Sequence, residues 1–346
     1  MSEPATDGLW LSVLVPVYNV EPYLTACVDS VMAGVQALPP GARAGVEVLL
    51  WDDASTDGSA GVMAALAQRW GPAVKPHRVP SNRGVAAARN ALLDAARGRH
   101  LWFVDGDDWI EPSALARLHE RLTGPDAPDL LAFDYCIERG PMPTFKRWRQ
   151  RLRGEAHRRT LQAPSGQKLP GGSALLTAAL ASGDLFMWSQ VSRRTLWSHD
   201  LRFPEGRTFE DMATLPRLLL RVRSAWHEAE AWVHYRRRDD SVTGVMSAVK
   251  VADLSRSLVG VRDLLPPPGT PAADAARFAL AHQAARNLWA AQRHARRLAP
   301  PEAQRLHAQA QTDFCAALGD DLPLLWRGYL QRGWLWRAWR LRQALR

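Results

Sequence analysis

The sequence predicts an α/β fold: a Rossmann-like nucleotide-binding mixed sheet with helices on both faces, followed by a C-terminal helical extension. Three observations predict it. Short β-branched apolar runs alternate with helical patterns over the first third of the chain, which implies strands paired in parallel through helical crossovers. Acidic, turn-rich segments close the second and fourth of those runs, where an open wound sheet places its ligand. Beyond about Val251 the pattern is Ala/Leu/Arg-rich and helical only.

The elements follow in order. Trp10 to Val17 (WLSVLVPV) reads as a buried strand. Glu21 to Ala37 has helical spacing, with Pro22 in its first turn. Val46 to Trp51 is a second strand, closed by the turn and capping residues DDASTDGS. Gly61 to Trp70 reads as helix, Val74 to Val79 as a short strand, and Val85 to Ala96 as helix stopped by Gly98. His100 to Val104 is the fourth strand, and Asp129 to Tyr135 suits one more. Arg139 to Lys168 is strongly basic and reads as a surface insertion. Helical patterns resume at Gly172 to Ser182, Phe186 to Trp197 and Asp211 to Val222, and Ala225 to Tyr235 suits a strand. The expected division is a catalytic domain over 1–245 and a helical extension over 246–346.

The composition is that of a soluble globular chain, 47% apolar and 23% charged. The net charge of +9 is nearly all arginine. It suits anionic partners such as phosphate or acidic lipid, and equally a genome rich in Ala and Arg codons. Cys27, Cys136 and Cys315 lie far apart, with no metal spacing and no disulfide framework. The start, MSEPATDG, is not a signal peptide, and no apolar run approaches the ~18 residues of a membrane span. A cytoplasmic chain is expected, with peripheral contact at the inner face of the cell membrane. No nucleic-acid motif is present.

Chemistry concentrates in LWFVDGDDWIEP, Leu101 to Pro112. Asp105, Asp107 and Asp108 crowd like charges at a strand end, which is unfavourable unless a cation or a proton relieves it. Residues i and i+2 of an extended chain face the same side, so Asp105 and Asp107 can converge. Gly106 between them would let a ligand approach the backbone. Oxygen-only ligands suit Mg²⁺ or Mn²⁺, and diphosphate oxygens would complete the shell. The competing reading is a turn with a helix cap near Pro112. Asp53, ending the second strand, sits where a ribose or base would meet its carboxylate. Tyr18 suits stacking on a base or covering the sheet edge. Asn82 and Gly84 bring a loop and a helix N-terminus to the same edge, which favours phosphate. Arg89 would add a charge-assisted bond there, or be a solvated helix residue.

LSVLVPVYN, VEVLLWDDASTDGS, SNRGVAAARN and LWFVDGDDWIEP, in this order, resemble the family 2 glycosyltransferases. The resemblance implies a GT-A fold, a nucleotide-diphosphate-sugar donor (UDP-linked by preference) and a divalent cation. It implies that the DxD motif falls on Asp105 and Asp107, with Asp107 the metal ligand and Asp105 toward ribose and metal. Asp53 would contact uridine, Pro16 and Tyr18 would line the base, and Asp108 would brace the turn. The likeness continues more weakly to LRFPEGRTFEDMATLPRLLL, where the family carries a catalytic carboxylate. Here the pair is Glu210-Asp211, with Asp211 favoured as base; the competing reading is an acidic first helical turn. YRRRDDSVT, Tyr235 to Thr243, resembles the family's closing segment and nominates Arg238 for the diphosphate. Trp188 is expected in the core.

The resemblance spans about residues 9 to 245. It implies an inverting, metal-dependent hexosyl- or N-acetylhexosaminyl-transferase of the cell envelope, acting on a glycan or lipid-linked acceptor. Two other readings stand beside it: a non-catalytic nucleotide-binding scaffold of a glycan assembly complex, and a nucleotidyltransferase. The latter should show a Gly-rich loop where this chain has VPVYNVEPY. The end, LWRGYLQRGWLWRAWRLRQALR, suits either a helix at an anionic membrane interface or one packed back on the protein.

Overall fold

Each of the four apolar runs before Val104 becomes a strand. The computed structural model describes residues 8–139, 157–198, 200–237 and 246–346. Strands β1 (Leu11–Val17), β2 (Val46–Asp52), β3 (Val74–Arg78) and β4 (His100–Phe103) lie in the order β3-β2-β1-β4, all parallel. Helices α1 (Glu21–Ala37), α2 (Pro40–Ala44), α3 (Ser59–Trp70) and α4 (Val85–Ala95) make the crossovers. β1 is apolar along both faces, which are covered, except at Ser12, whose hydroxyl donates to Glu47 Oε1 at 2.7 Å.

The sheet continues as a mixed one. β5 (Trp109–Ile110), helix α5 (Ser113–Thr123), β6 (Leu130–Arg139), the short β7 (His157–Arg158) and β8 (Lys168–Pro170), β9 (Gln190–Arg193) and β10 (Ser224–Arg237) complete the order β4-β9-β6-β10-β5. β9 is antiparallel to both β4 and β6. It overturns the helix expected over Phe186 to Trp197. That segment is a 3₁₀ turn (Met187–Ser189), the strand, and a second 3₁₀ turn (Arg194–Leu196). The strand itself, QVSR, holds one apolar residue, and the apolar residues flanking it supply the spacing that imitates a helix. Trp188 is core, stacked on Phe186 and accepting a hydrogen bond from Trp102 Nε1 at its carbonyl.

The chain forms two compact units that interleave along the sequence. The first holds the described residues within Met1–Leu169, Phe186–Gly206 and Val222–Asp239; the second holds Pro170–Leu185, Arg207–Arg221 and those within Asp240–Arg346. Helices Gly172–Ser182 and Glu210–Arg221 thus group with the C-terminal helices, not with the sheet as a single boundary near 245 would have it. The reason is packing: Gly172–Ser182 lies against the long helix Pro271–Ala295, and Glu210–Arg221 against Gly172–Ser182. Asp321 there accepts Arg277 at 2.9 Å and Arg262 at 3.1 Å. Most of the basic insertion, 140–156, lies outside the described residues, as does Arg238. Among the described residues, no helix is long and apolar enough to cross a membrane.

One buried base makes a pH prediction. His100 opens β4 fully buried, its Nδ1 3.2 Å from the Trp10 carbonyl. Burial, with Arg193 and Arg99 nearby, pushes its pKa down to about 4. The unfolded value is about 6.5, so the neutral ring's contribution is complete above that pH. It is lost as pH falls from there through the folded value. Between pH 7 and 4.5 this costs roughly 2–3 kcal/mol. Urea unfolding of His100→Leu, which keeps the backbone donor to Trp10, should show that part of the acid sensitivity removed. An unchanged pH slope would exclude His100 as its source.

Candidate functional site

The parallel strands deliver their carboxyl ends to one edge. The loops there are tied side by side: Asp53 N donates to Val17 O at 2.9 Å, and Val104 N to Leu14 O at 3.0 Å. The first two turns also cap each other's helices. At the start of α1, Val20 N donates to Ser59 Oγ (3.0 Å) and Glu21 N to Asp57 Oδ2 (3.1 Å). In return Glu21 Oε2 accepts from Gly58 N at 2.8 Å, at the start of α3. Asn19, at φ +50°, accepts from Thr56 N at 2.8 Å. The polar residues of DDASTDGS thus do more than cap their own helix: they fix the turn that carries Pro16 and Tyr18. Tyr18 is left 47% exposed beside that turn.

Asp53 is buried, and its carboxylate is already engaged. Oδ1 accepts from Arg83 N at 2.9 Å and Oδ2 from Gly84 N at 2.7 Å. Its carbonyl accepts from Asn82 Nδ2 at 3.1 Å. The structure therefore gathers Asp53, Asn82 and Gly84 into one loop. Gly84, at φ +88°, makes the turn into α4 that a side chain would strain.

Arg89 is not a solvated helix residue. It is buried between Phe103 and Phe203, 5.9 and 5.5 Å from the ring centres. Its Nη2 donates to Asp105 Oδ1 at 3.0 Å. Asn90, next in the motif, clamps the segment that covers it: Nδ2 donates to Phe203 O and Oδ1 accepts from Phe203 N, both at 2.9 Å. The arginine therefore reaches the edge through Asp105.

The acidic turn itself follows β4. Gly106 is needed for a close approach, but by the chain's own Pro16: a Cβ there would lie 3.2 Å from the Pro16 carbonyl and 3.2 Å from Val20 Cγ2. Asp105 and Asp107 are half-buried, while Asp108 is buried. Asp108 Oδ1 accepts from Arg236 N at 2.7 Å. Its Oδ2 is buried without a hydrogen-bond partner among the described residues. Burial, then the charges of Asp105 and Asp107, push its carboxyl well above the usual range, with Arg236 offsetting only part. Among the described residues no group of three His, Cys, Asp or Glu forms a complete metal cage.

Arg236 completes the turn. Its Nε donates to Asp107 O at 2.9 Å, and its guanidinium lies 4.8 Å from the Tyr23 ring and 4.7 Å from Trp109. Arg238, which the resemblance nominates for the diphosphate, lies outside the described residues. Register decides: β10 pairs with β5 so that His234 faces Trp109, which brings Arg236 level with Asp107 and Asp108. Within the arginine run, Arg236 is thus the described residue that meets the acidic turn.

Glu210 and Asp211 lie in the second unit, in the first turn of helix Glu210–Arg221. Glu210 is buried and Asp211 only half-buried, so Asp211 is the more open to an incoming group. Phe209 before them holds φ +58°, and Asp253 Oδ2 anchors the turn, accepting from Thr208 N at 2.9 Å and Thr208 Oγ1 at 3.1 Å.

A mixed sheet with an acidic turn and an arginine at its carboxyl edge is the GT-A architecture. The likeness to solved structures is of that kind: S. aureus TarS 1–349 in complex with UDP-GlcNAc superimposes with a TM-score of 0.72, covering 97% of this chain and 91% of that one, at 18% identity. The same fragment with UDP gives 0.67 at 20% identity, covering 92% and 83%. Residues 12–181, just under half of the chain, match the model of glycosyl transferase family 2. Among curated relatives, the uncharacterized glycosyltransferase EpsJ of Bacillus subtilis is 36% identical over 110 residues, 32% of this chain and 29% of that protein. Glycosyltransferase GlyG of Streptococcus pneumoniae is 24% identical over 237 residues, 67% of this chain and 72% of that protein. The poly(ribitol-phosphate) beta-glucosyltransferase of Bacillus spizizenii is 33% identical over 107 residues, 31% of this chain and 16% of that protein. The chain thus spans well under half of EpsJ and of the Bacillus spizizenii enzyme.

Proposed function

We propose that the chain is an inverting glycosyltransferase that moves a sugar from a UDP-linked donor to a hydroxyl of a cell-surface glycan or its lipid-linked precursor. The observation that carries this reading is the acidic turn. Three carboxylates stand together, one buried oxygen of Asp108 lacks a partner among the described residues, and Arg236 lies across the turn. Such a donor set, oxygen only and over-charged, fits a hard divalent cation shared with a diphosphate. Asp107 and Asp105 would hold Mn²⁺ or Mg²⁺, which when bound neutralises charge developing on the leaving diphosphate.

The protein's own groups divide the remaining work. Arg89 holds one oxygen of Asp105 and so orients the other. Asp53 shapes the 82–84 loop and faces the uridine, with Tyr18 and Pro16 along the base. The cationic Arg236 favours the diphosphate. Asp211 takes the proton from the acceptor hydroxyl as it attacks the anomeric carbon, opposite the departing UDP. Binding of UDP-GlcNAc and of UDP by TarS, which shares the fold, supports the choice of nucleotide.

Calorimetry with UDP tests the donor half. Binding should require Mn²⁺ and fall by at least roughly tenfold in Asp107→Asn, the loss of one charge-assisted contact of about 1.5 kcal/mol or more. Binding that ignores both metal and substitution would remove the cation from the reading. Absence of any binding would favour a scaffold that retains the fold without its chemistry.

A further inference from the structure

The last helix, Leu335–Ala344, packs inward through Ala338, Leu341 and Ala344. Folding accounts for that one apolar stripe, and the opposite face should then be polar. Instead it opens with Leu335, Trp336 and Trp339, which are 65%, 66% and 51% exposed. The two indoles stack on each other, ring centres 4.6 Å apart. Leu330, closing the preceding helix Leu322–Gln331, is 60% exposed. Along the same outward stripe the residues become Arg342, Gln343 and Arg346, all exposed.

The segment that carries this patch has charge of one sign. From Leu322 to Arg346 there is no Asp or Glu, while arginine stands at 327, 332, 337, 340, 342 and 346. Three of these are fixed on aromatic faces: Arg332 over Phe278 at 4.0 Å, Arg337 over Trp334 at 3.9 Å and Arg340 over Trp289 at 4.7 Å. Their positions are set by packing within the unit rather than by acidic partners.

We propose that this surface docks on an anionic lipid bilayer, with Trp336, Trp339, Leu330 and Leu335 in the headgroup region and the flanking arginines on lipid phosphates. Charge selects this occupant. A second copy meeting the same face would set this segment's arginines against each other with no Asp or Glu of the segment to relieve them. A bilayer surface offers phosphate for the arginines and an interface that favours indole rings. The patch would bring the chain to the leaflet without a span, and the inference stands whether or not the transferase reading does.

The test is sedimentation of the full chain with vesicles of phosphatidylcholine alone, or with about one-third phosphatidylglycerol, a fraction that gives strong surface attraction. Partition should be strong with the anionic vesicles, weak with the neutral ones, and reduced by salt. Trp336→Ser/Trp339→Ser should lower it at least tenfold while leaving the thermal transition in place, because both side chains are outside the core. Arg342→Glu/Arg346→Glu should also lower it. Anionic binding unchanged in the tryptophan variant would mean that net charge alone attracts the chain, and would overturn the proposal. So would a lack of vesicle binding, or a dimer in light scattering that the tryptophan variant dissolves.

Discussion

Asp211→Asn is expected to reduce turnover by about 10²- to 10⁴-fold, the usual worth of a positioned general base, while donor binding stays within twofold. The amide cannot accept the acceptor's proton at neutral pH, but it keeps the size and much of the hydrogen bonding of the carboxylate. The measurement needs a UDP-sugar and acceptor that support turnover, and both kcat and UDP affinity for each variant. Glu210→Gln is the comparison. Glu210 is buried in the same helical turn, so its loss should lower stability more than the chemical step. If Glu210→Gln stops turnover and Asp211→Asn does not, the base is Glu210. If neither does, the acidic turn only favours the helix dipole, and the transferase reading loses its base.

Arg89→Met should destabilise the chain by about 3 kcal/mol, the lower end of what breaking a buried ion pair costs. The lower end applies because Asp105, its partner, keeps some solvent, with a side chain 28% exposed against 3% for Arg89. Metal-dependent UDP binding should weaken as well, because the carboxylate is no longer oriented. Met roughly conserves volume between Phe103 and Phe203, so the loss reports charge rather than a cavity. The double variant Arg89→Met/Asp105→Asn separates the two effects. It should recover part of the stability, since neither charge is left alone, but none of the binding. A single variant that unfolds like the wild type would show that the pair contributes little to the fold.

Arg89 also shows where the local sequence stops being informative. Nothing in SNRGVAAARN distinguishes a solvated arginine from a buried one. The distinction comes from Phe203, more than a hundred residues later, docked by the two Asn90 hydrogen bonds. Arg236 is a second case. Nothing in the string YRRR singles it out, and the pairing of β10 with β5 puts it on the acidic turn. The glycine of the acidic turn was legible as a close approach, but the approaching group is Pro16 of β1.

The sequence by itself determined the first four strands and their parallel winding, the acidic turns at the sheet's carboxyl edge and the helical C-terminal region. Those features rest on short-range physics: apolar periodicity, turn chemistry and like charges too close to be idle. The tertiary structure alone decided that Phe186 to Trp197 contributes a central strand, because QVSR carries no apolar alternation and its partners β4 and β6 lie far away in the chain. It alone decided which carboxylates are occupied by backbone donors and which arginine meets the turn, because register and burial are set by partners distant in the chain. And it alone left Trp336 and Trp339 facing outward, because only the packing of Ala338 and Leu341 shows which stripe of an apolar helix the fold has used.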